Sequence, residues 1–177
     1  MKILETPFND LFILEYNIFR DKRGEFVKTI HDDVFKSHGL DYIFVENYFS
    51  VSHKNVIRGM HFQNPPHDHA KLVYAVTGRT LDVVLDIRNS SPTYGNFFSI
   101  ELSAEKRNAI YIGKGFAHGF LSLEDNSLVE YHTTTAQNKG SEDGIKWNSF
   151  GFEWNVENPI ISERDQSFKD FKKLAVV

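Results

Sequence analysis

The sequence predicts an all-β protein, a closed jelly-roll sandwich or barrel with short helices near its ends. Aromatic residues are abundant, with 16 Phe, 7 Tyr and 2 Trp among 177 residues, and aromatic side chains favour pleated sheets. Apolar and polar residues alternate in several short stretches, and turn-forming Gly, Pro, Asn and Asp residues separate them. Many short strands at such spacing are typical of antiparallel sheets that pack face to face.

Ten segments have the pattern of strands. The clearest is 80–88, where one face is apolar and consists of Leu81, Val83, Leu85 and Ile87. In chain order, the predicted strands are 12–16, 26–30, 43–52, 56–62, 71–77, 80–88, 97–102, 108–112, 118–123 and 127–133.

Two segments have helical patterns instead. The first spans 32–38 and is followed by Gly39, a residue type that commonly terminates helices. The second spans 167–174, and Asp165 is placed to cap it. The sequence has no internal repeat and no linker-like stretch, so we expect one domain over residues 1–177.

Composition excludes several classes of function. The net charge is −4, so the chain lacks the positive field that attracts nucleic acid or anionic membranes. It contains no cysteine, which excludes disulfides, a thiol nucleophile and cysteine-ligated zinc. The first residues lack the apolar stretch of a signal peptide, and no later run is long enough to span a bilayer. We therefore expect a cytoplasmic protein with no nucleic-acid or membrane partner.

Polar residues typical of a catalytic site interrupt the β-like sequence between positions 58 and 71. Arg58 and His61 lie three residues apart, so a twist or bulge must bring their side chains to one face of a strand. Lys71 and His118 can join them from neighbouring strands. Lys71 lies in an apolar run, where an unpaired ammonium group is costly to bury. Cations beside a histidine suit an anionic substrate from which a proton is removed.

The eight histidines also permit a metal hypothesis. His67 and His69 form a His-x-His pair and His118 offers a third imidazole, as in a metal-dependent cupin enzyme. The glutamate that follows such a pair in those enzymes is missing here, and Lys71 places a cation where a metal ion would be repelled. We therefore favour solvated loop positions for His67 and His69, and no bound metal.

Nearly the whole chain resembles the dTDP-4-dehydrorhamnose 3,5-epimerase family, whose members adopt a cupin-type jelly roll. The resemblance rests on many motifs that occur in order at compatible spacing. The main ones are Asp21-Lys22-Arg23-Gly24-Glu25-Phe26, Arg58-Gly59-Met60-His61-Phe62-Gln63, Lys71-Leu72-Val73, Gly115-Phe116-Ala117-His118-Gly119-Phe120 and Ser162-Glu163-Arg164-Asp165. Each motif is weak alone, but together they form a specific signal.

The resemblance implies a role for each candidate residue. His61 matches the general base, Asp165 matches the carboxylate that holds it, and Tyr131 matches the acid that protonates the opposite face. Lys71 matches the lysine that stabilises the enolate oxygen. The other candidates match residues that contact the substrate or surround its nucleotide: Arg23, Lys28, Glu46, Asn47, Tyr48, Arg58, His118, Glu142 and Arg164.

The implied reaction is epimerisation at C3, C5 or both of a nucleotide-linked 4-keto-6-deoxyhexose, through an enolate. Family members need no metal or redox cofactor and are usually homodimers that exchange a strand between subunits. Two rivals remain open at this point: a metal-dependent cupin enzyme, and a sugar-nucleotide-binding β module without catalytic activity.

Departures from the family pattern cluster around the expected nucleotide site. Lys28 stands where a glutamate is usual, Glu46-Asn47-Tyr48 where Gln-Asp-Asn is common, and Ala136-Gln137 where an aromatic pair is frequent. Replacing glutamate by lysine reverses the charge and leaves a group that only donates hydrogen bonds. We therefore expect the chain either to bind dTDP differently or to prefer another nucleotide, with CDP the leading alternative and GDP a further one.

Overall fold

The computed structural model describes residues 1–172, which form thirteen strands and two short helices. In chain order these are β1 (Lys2–Glu5), β2 (Leu11–Glu15), β3 (Ile18–Asp21), β4 (Gly24–Val27), α1 (Asp32–Ser37), β5 (Glu46–Ser52), β6 (Ile57–Gln63), β7 (Lys71–Thr77), β8 (Arg79–Asp86), β9 (Phe97–Ser103), β10 (Asn108–Ile112), β11 (Phe116–Ser122), β12 (Ser127–Thr133), β13 (Glu142–Gly144) and α2 (Glu163–Gln166).

Two antiparallel sheets pack face to face. The large sheet has the order β1-β2-β10-β7-β12-β5, and the small sheet has the order β13-β6-β11-β8-β9. Side chains from both sheets form the core between them, among them Val73, Val84, Phe120 and Tyr131. β3 and β4 form a separate hairpin that pairs with neither sheet. This arrangement confirms the predicted all-β jelly roll.

Both faces of β8 are buried, although its sequence alternates apolar and polar residues. On the outer face, Val83 and Leu85 pack with Phe150 and Trp154 of the segment that follows β13. On the inner face, Asp82 is fully buried between the sheets. Because the C-terminal segment covers the apolar face, the polar face of β8 turns inward, where its polar groups can serve a site.

All ten predicted strands correspond to observed ones, with shifted boundaries. The segment predicted at 43–52 becomes a strand only from Glu46, and the segment predicted at 26–30 forms β4 slightly earlier. β1, β3 and β13 were not predicted, because three or four residues are too few to show a period.

The first predicted helix is confirmed and the second is wrong. α1 occupies most of the segment 32–38, and its Phe35 is fully buried. Residues 167–172 are not helical. The helical turn lies earlier, at α2, because the Ser162 side chain caps it by accepting a hydrogen bond from the Asp165 N–H at 3.1 Å. The last two residues of the predicted segment lie outside the described residues. Neither helix of the described chain has the length and apolar character that crossing a bilayer requires.

Candidate active site

A cavity of about 370 Å³ lies between the two sheets and collects most of the candidate site residues. The large sheet contributes through β5, β7 and β12, and the small sheet through β6, β11 and β13. The lining residues are Glu46, Tyr48, Ser50, Arg58, His61, Phe62, Gln63, His69, Lys71, His118, Gly119, Phe120, Tyr131, Gln137, Glu142 and Arg164. We take this cavity as the candidate active site.

Arg58 and His61 reach the same side of β6 through a bulge. His61 lies opposite His118 on β11 and Arg58 lies opposite Phe120, so three steps along β6 match two along β11. The extra residue shifts the alternation of side chains by one position. Gly59 has φ +133°, and a Cβ atom there would lie 2.5 Å from a main-chain atom of β11, so this close approach requires glycine. The bulge that the sequence predicted is therefore present, and it brings the side chains of Arg58 and His61 to one side of β6.

His61 is held by a buried carboxylate from the far end of the chain. Its Nε2 lies 2.8 Å from Asp165 Oδ1, and the main-chain N–H of Gly59 donates to Asp165 Oδ2 at 3.0 Å. Burial raises the pKa of Asp165, but these hydrogen bonds outweigh it and lower the pKa below its ordinary value. An ionised carboxylate only accepts hydrogen bonds, so Nε2 carries the proton and Nδ1 is the free basic nitrogen of His61.

Lys71 is buried although it carries an ammonium group. It begins β7 on the large sheet, is 7% exposed, and its Nζ donates to the main-chain oxygen of His61 at 3.4 Å. Burial lowers the pKa of Lys71 to about 8, and the carboxylate of Glu142 offsets part of this effect. The side chain thus reaches from the large sheet to the small one and places a poorly screened positive charge beside His61.

Tyr131 faces the cavity from the other sheet than His61, because it belongs to β12. Its hydroxyl lies 3.3 Å from Ser50 Oγ, and its ring stacks on Tyr48, its cross-strand neighbour on β5, with centroids 4.8 Å apart. Burial raises the pKa of Tyr131 well above its ordinary value. The phenol therefore keeps its proton at neutral pH and is a candidate acid.

His118 faces the cavity from β11 and is almost completely buried. Its Nε2 lies 2.7 Å from Asp82 Oδ1, and Thr80 Oγ1 donates to Asp82 Oδ2 at 2.6 Å. Burial lowers the pKa of His118, and the hydrogen bond with Asp82 opposes this effect only in part. Sequence reasoning missed Thr80 and Asp82, since alternation along β8 does not reveal which face turns toward the cavity.

A hydrogen-bond network joins three further candidates at the cavity. The main-chain N–H of Gln137 donates to Glu46 Oε2 at 2.9 Å, and its side-chain amide donates to Glu142 Oε1 at 2.6 Å. Arg164 Nη2 donates to Glu142 Oε2 at 3.2 Å. Gln137, which the sequence marked only as a departure from the family pattern, is thus the centre of this network.

Arg58 is bound to β5 rather than to a carboxylate. Its Nε donates to Ser52 Oγ at 3.0 Å, and its Nη2 donates to the main-chain oxygen of Val51 at 3.2 Å. Within residues 1–172 it forms no salt bridge, so its charge is available to an anionic ligand.

Three predicted substrate-binding residues do not line the cavity of the single chain. Arg23 lies in the exposed β3–β4 hairpin, and Lys28 is exposed just after it. Asn47 lies on β5, but its side chain bonds to Glu130 and His132 outside the cavity. A role in substrate binding stays a prediction for these three residues.

Comparison with known proteins identifies the family. The sequence model of the family described as dTDP-4-dehydrorhamnose 3,5-epimerase matches residues 5–173. The chain is 39% identical over 174 residues to the dTDP-4-dehydrorhamnose 3,5-epimerase of Shigella flexneri, a match that covers 97% of this chain and 96% of that protein. The chain belongs to the dTDP-4-dehydrorhamnose 3,5-epimerase family.

Solved structures agree with this assignment. A dTDP-4-dehydrorhamnose 3,5-epimerase from Bacillus anthracis, with TDP and PPi bound, superposes with a TM-score of 0.93 at 33% identity, covering 96% of this chain and 99% of that one. A dTDP-6-deoxy-D-glucose-3,5-epimerase from Legionella pneumophila, in complex with dTDP-4-keto-L-rhamnose, gives 0.91 at 32% identity, covering 96% and 92%. The predicted cupin-type jelly roll and the class of enzyme, a nucleotide-sugar epimerase, are confirmed.

The histidines of this epimerase-family chain do not form the metal cluster of the alternative hypothesis. His118 is bound to Asp82, whereas His69 Nδ1 lies 3.1 Å from the amide of Gln63. Within the described residues, one group alone has three or more potential ligand atoms within 4.8 Å of one another, and it consists of His31, Asp32 and Asp33. His67, His69 and His118 are therefore not arranged around a common point.

Two cavity residues of this family member were missed or misplaced by sequence reasoning. The Gln63 amide donates to the main-chain oxygen of His67 at 2.7 Å and so holds the loop before β7. His69 was expected to be solvated, but it lines the cavity, and burial lowers its pKa to about 3. Gln63 lies on β6 two residues after His61, and this strand period of two was the available signal for it. His69 lies in the loop before β7, where no strand period applies.

Proposed function

We propose that the protein epimerises a dTDP-linked 4-keto-6-deoxyhexose at C3, C5 or both, in deoxysugar biosynthesis. The names of its relatives and the dTDP-4-keto-L-rhamnose bound to one of them support this substrate class. The observation that carries the reaction is that His61 and Tyr131 enter one cavity from opposite sheets. A sugar ring bound between them has a base on one face and an acid on the other.

In the first step, His61 removes the proton from a carbon next to the ketone. Its Nδ1 binds the proton, and the electrons of the broken C–H bond move to the ketone oxygen, which becomes an enolate. The Lys71 ammonium stabilises the charge that develops on this oxygen. The carboxylate of Asp165 stabilises the imidazolium that His61 has become.

In the second step, Tyr131 protonates the same carbon from the opposite face. The enolate electrons form the new C–H bond, the ketone is restored, and the carbon is inverted. Tyr131 is left as a phenolate and His61 as an imidazolium, so a proton returns through solvent from the histidine to the tyrosine before the next turnover.

Replacing Tyr131 with phenylalanine should separate proton exchange from inversion. The ring and its packing on Tyr48 remain, but the phenolic proton is lost. His61 can still remove a proton and return one to the same face, so deuterium uptake from heavy water should persist while formation of the epimer falls roughly 100-fold. Both are measured on one sample by NMR of the sugar. Epimer formation at the wild-type rate in this variant would show that Tyr131 is not the acid.

The charge of Lys71 should limit activity at alkaline pH. Below its pKa of about 8 the lysine is charged and stabilises the enolate; above it, this charge is lost. We expect kcat/KM to fall as pH rises through about 8, approaching a tenfold loss per pH unit. Lys71→Arg is the control, because arginine stays charged over this pH range. Its kcat/KM should be lower than that of the wild type but should not fall as the pH rises through about 8. The same fall in both proteins would assign it to another group.

Nucleotide preference is a separate part of the proposal. Tyr48 stacks on Tyr131 within the chain, so one face of its ring is already occupied and it is not an equivalent of the aromatic pair missing at Ala136-Gln137. The relative with bound TDP nonetheless supports dTDP as the nucleotide. Calorimetric titration with dTDP, UDP, CDP and GDP should give the tightest binding for dTDP. Clear preference for CDP would instead support the alternative raised by the departures around Tyr48 and Gln137.

We also propose a homodimer that exchanges the β3–β4 hairpin. Phe19 and Phe26 on this hairpin are 60% and 61% exposed, which favours burial against a second copy. The exchange would carry Arg23 and Lys28 to the partner's cavity. Light scattering at micromolar concentration should give twice the chain mass of 20.5 kDa. A monomer would contradict the proposal.

We further propose that the enzyme works in the cytoplasm without a metal or redox cofactor. Each step above uses only protein groups and water. Exhaustive chelation should leave activity unchanged. Activity that is lost on chelation and restored by one divalent ion would overturn this part.

A further inference from the structure

Three buried side chains on β8 and β11 are linked by hydrogen bonds, and the last of them lines the cavity. Thr80 donates to Asp82, and Asp82 is bonded to His118, which lines the cavity. Thr80 and Asp82 are completely buried, and His118 is 4% exposed. No step of the proposed reaction uses Thr80 or Asp82, yet a buried carboxylate is costly unless its hydrogen bonds are satisfied.

These hydrogen bonds fix the protonation state of His118. A carboxylate that accepts from Thr80 on one oxygen leaves the other for His118, so Nε2 of the imidazole is its donor. The charge of Lys71 and the positive charge that His61 gains both oppose protonation of His118. Tyr131, whose ring centroid lies 6.3 Å from that of His118, keeps its proton because burial raises its pKa. His118 is therefore a neutral imidazole whose Nδ1 can only accept.

The two histidine–aspartate pairs of the cavity thus differ in what they can do. The side chain of His61 is 37% exposed, so its protonated form is hydrated in part and can exist during catalysis. His118 has the same kind of partner but almost no exposure, and burial is the largest influence on its pKa. The imidazole of His61 can therefore accept a proton from carbon, whereas the imidazole of His118 stays neutral.

We infer that Thr80 and Asp82 are positioning residues that hold His118 as a fixed hydrogen-bond acceptor for a hydroxyl group of the substrate sugar. This inference rests on the proposed function, since it assumes that a sugar occupies the cavity. Within residues 1–172, the hydrogen bond of the His118 side chain is the one from Nε2 to Asp82, so Nδ1 is left without a protein partner. A hydroxyl group can donate to it, but a ketone oxygen cannot. The pair therefore selects the ring orientation that places a hydroxyl at His118 and leaves the ketone for Lys71.

The first test reads the tautomer directly and needs no substrate. Long-range nitrogen–proton NMR of the free protein should show His118 neutral and protonated at Nε2 at neutral pH. In Asp82→Asn, the amide can donate to Nε2, so the proton should move to Nδ1. A wild-type His118 that is charged, or protonated at Nδ1, would overturn the inference.

The second test measures binding of dTDP-glucose and of its analogues with fluorine in place of the 2- or 3-hydroxyl. Fluorine has no proton to donate, so one analogue should bind the wild type roughly tenfold more weakly than dTDP-glucose does. Asp82→Asn, whose His118 donates, should lose most of this difference. An equal penalty in both proteins, or none in the wild type, would overturn the inference, because a merely structural role does not distinguish the analogues.

A matched pair of variants keeps the inference testable if Asp82→Asn does not fold. Thr80→Val removes the hydroxyl at nearly constant volume, and Thr80→Ser retains it. The fluorine penalty should shrink in the valine variant and persist in the serine variant; equal penalties in the two would contradict the inference. Wild-type enzyme that shows these binding differences but no deuterium exchange would refute the proposed reaction and leave this inference standing.

Discussion

Replacing His61 with asparagine is expected to abolish proton exchange at the carbons next to the ketone. The asparagine amide can still donate to Asp165, so the buried carboxylate keeps a partner, but no basic nitrogen faces the cavity. Removing a general base of this kind costs roughly 1000-fold in kcat/KM. Deuterium uptake in heavy water and turnover of the keto sugar measure the loss.

The matched control for this variant is His67→Asn. It makes the same substitution six residues away, in the loop before β7, at a side chain that does not line the cavity. It should exchange deuterium like the wild type. Exchange at the wild-type rate in a folded His61→Asn protein would show that another group is the base.

Replacing Lys71 with methionine should reduce activity and increase stability together. The enolate loses its buried positive charge, and we expect a fall of roughly 100-fold in kcat/KM. The folded protein, however, no longer holds an ammonium group at 7% exposure. The lysine pKa of about 8, against an ordinary value of 10.5, corresponds to a destabilisation of about 3 kcal/mol when the lysine is charged in both states. Most of this should be recovered in the methionine variant.

The pH dependence of this stability gain has a definite sign. Below about pH 8 the lysine is charged in both the folded and the unfolded protein, so the full penalty is present. Between about 8 and 10.5 the unfolded chain binds more protons, so wild-type stability should rise toward that of the variant. Thermal unfolding at pH 7 and pH 9.5 measures the convergence. A methionine variant less stable than the wild type at pH 7 would contradict the burial argument.

The control for the stability gain is Lys106→Met. Lys106 is 59% exposed on its side chain and pairs with Glu101 at the surface. Because exposed ion pairs contribute little, its replacement should change neither stability nor activity appreciably. A gain as large as that of Lys71→Met would assign the effect to methionine rather than to the removal of a buried charge.

Local sequence pattern was sufficient for ten of the thirteen strands and for part of the site. Arg58 and His61 lie three residues apart, which already demanded a bulge, and the bulge between β6 and β11 supplies it. Lys71 was singled out by a charge in an apolar run, and it is indeed buried. These predictions were confirmed because the alternation of side chains and the presence of a charge among apolar residues can both be seen within a single strand.

Contacts between distant parts of the chain were not available from pattern. Asp165 lies 104 residues from His61, and only the resemblance to the family connected them. Asp82 alternates with the apolar residues of β8, but nothing in the sequence of β8 shows that the segment after β13 covers the apolar face. The prediction of a helix at 167–174 was wrong because Ser162 caps a single helical turn earlier in the chain, at Glu163–Gln166, and the chain leaves the helical conformation after it.

The central claim is that a base and an acid act from two sheets on opposite faces of one sugar ring. Incubating the wild-type enzyme with dTDP-4-keto-6-deoxyglucose in heavy water, and locating deuterium and its configuration by NMR, tests this directly. The account predicts deuterium at an inverted carbon, at C3, C5 or both, delivered to the face opposite the one the original proton left. Epimer without deuterium, or deuterium only at carbons of retained configuration, would contradict it.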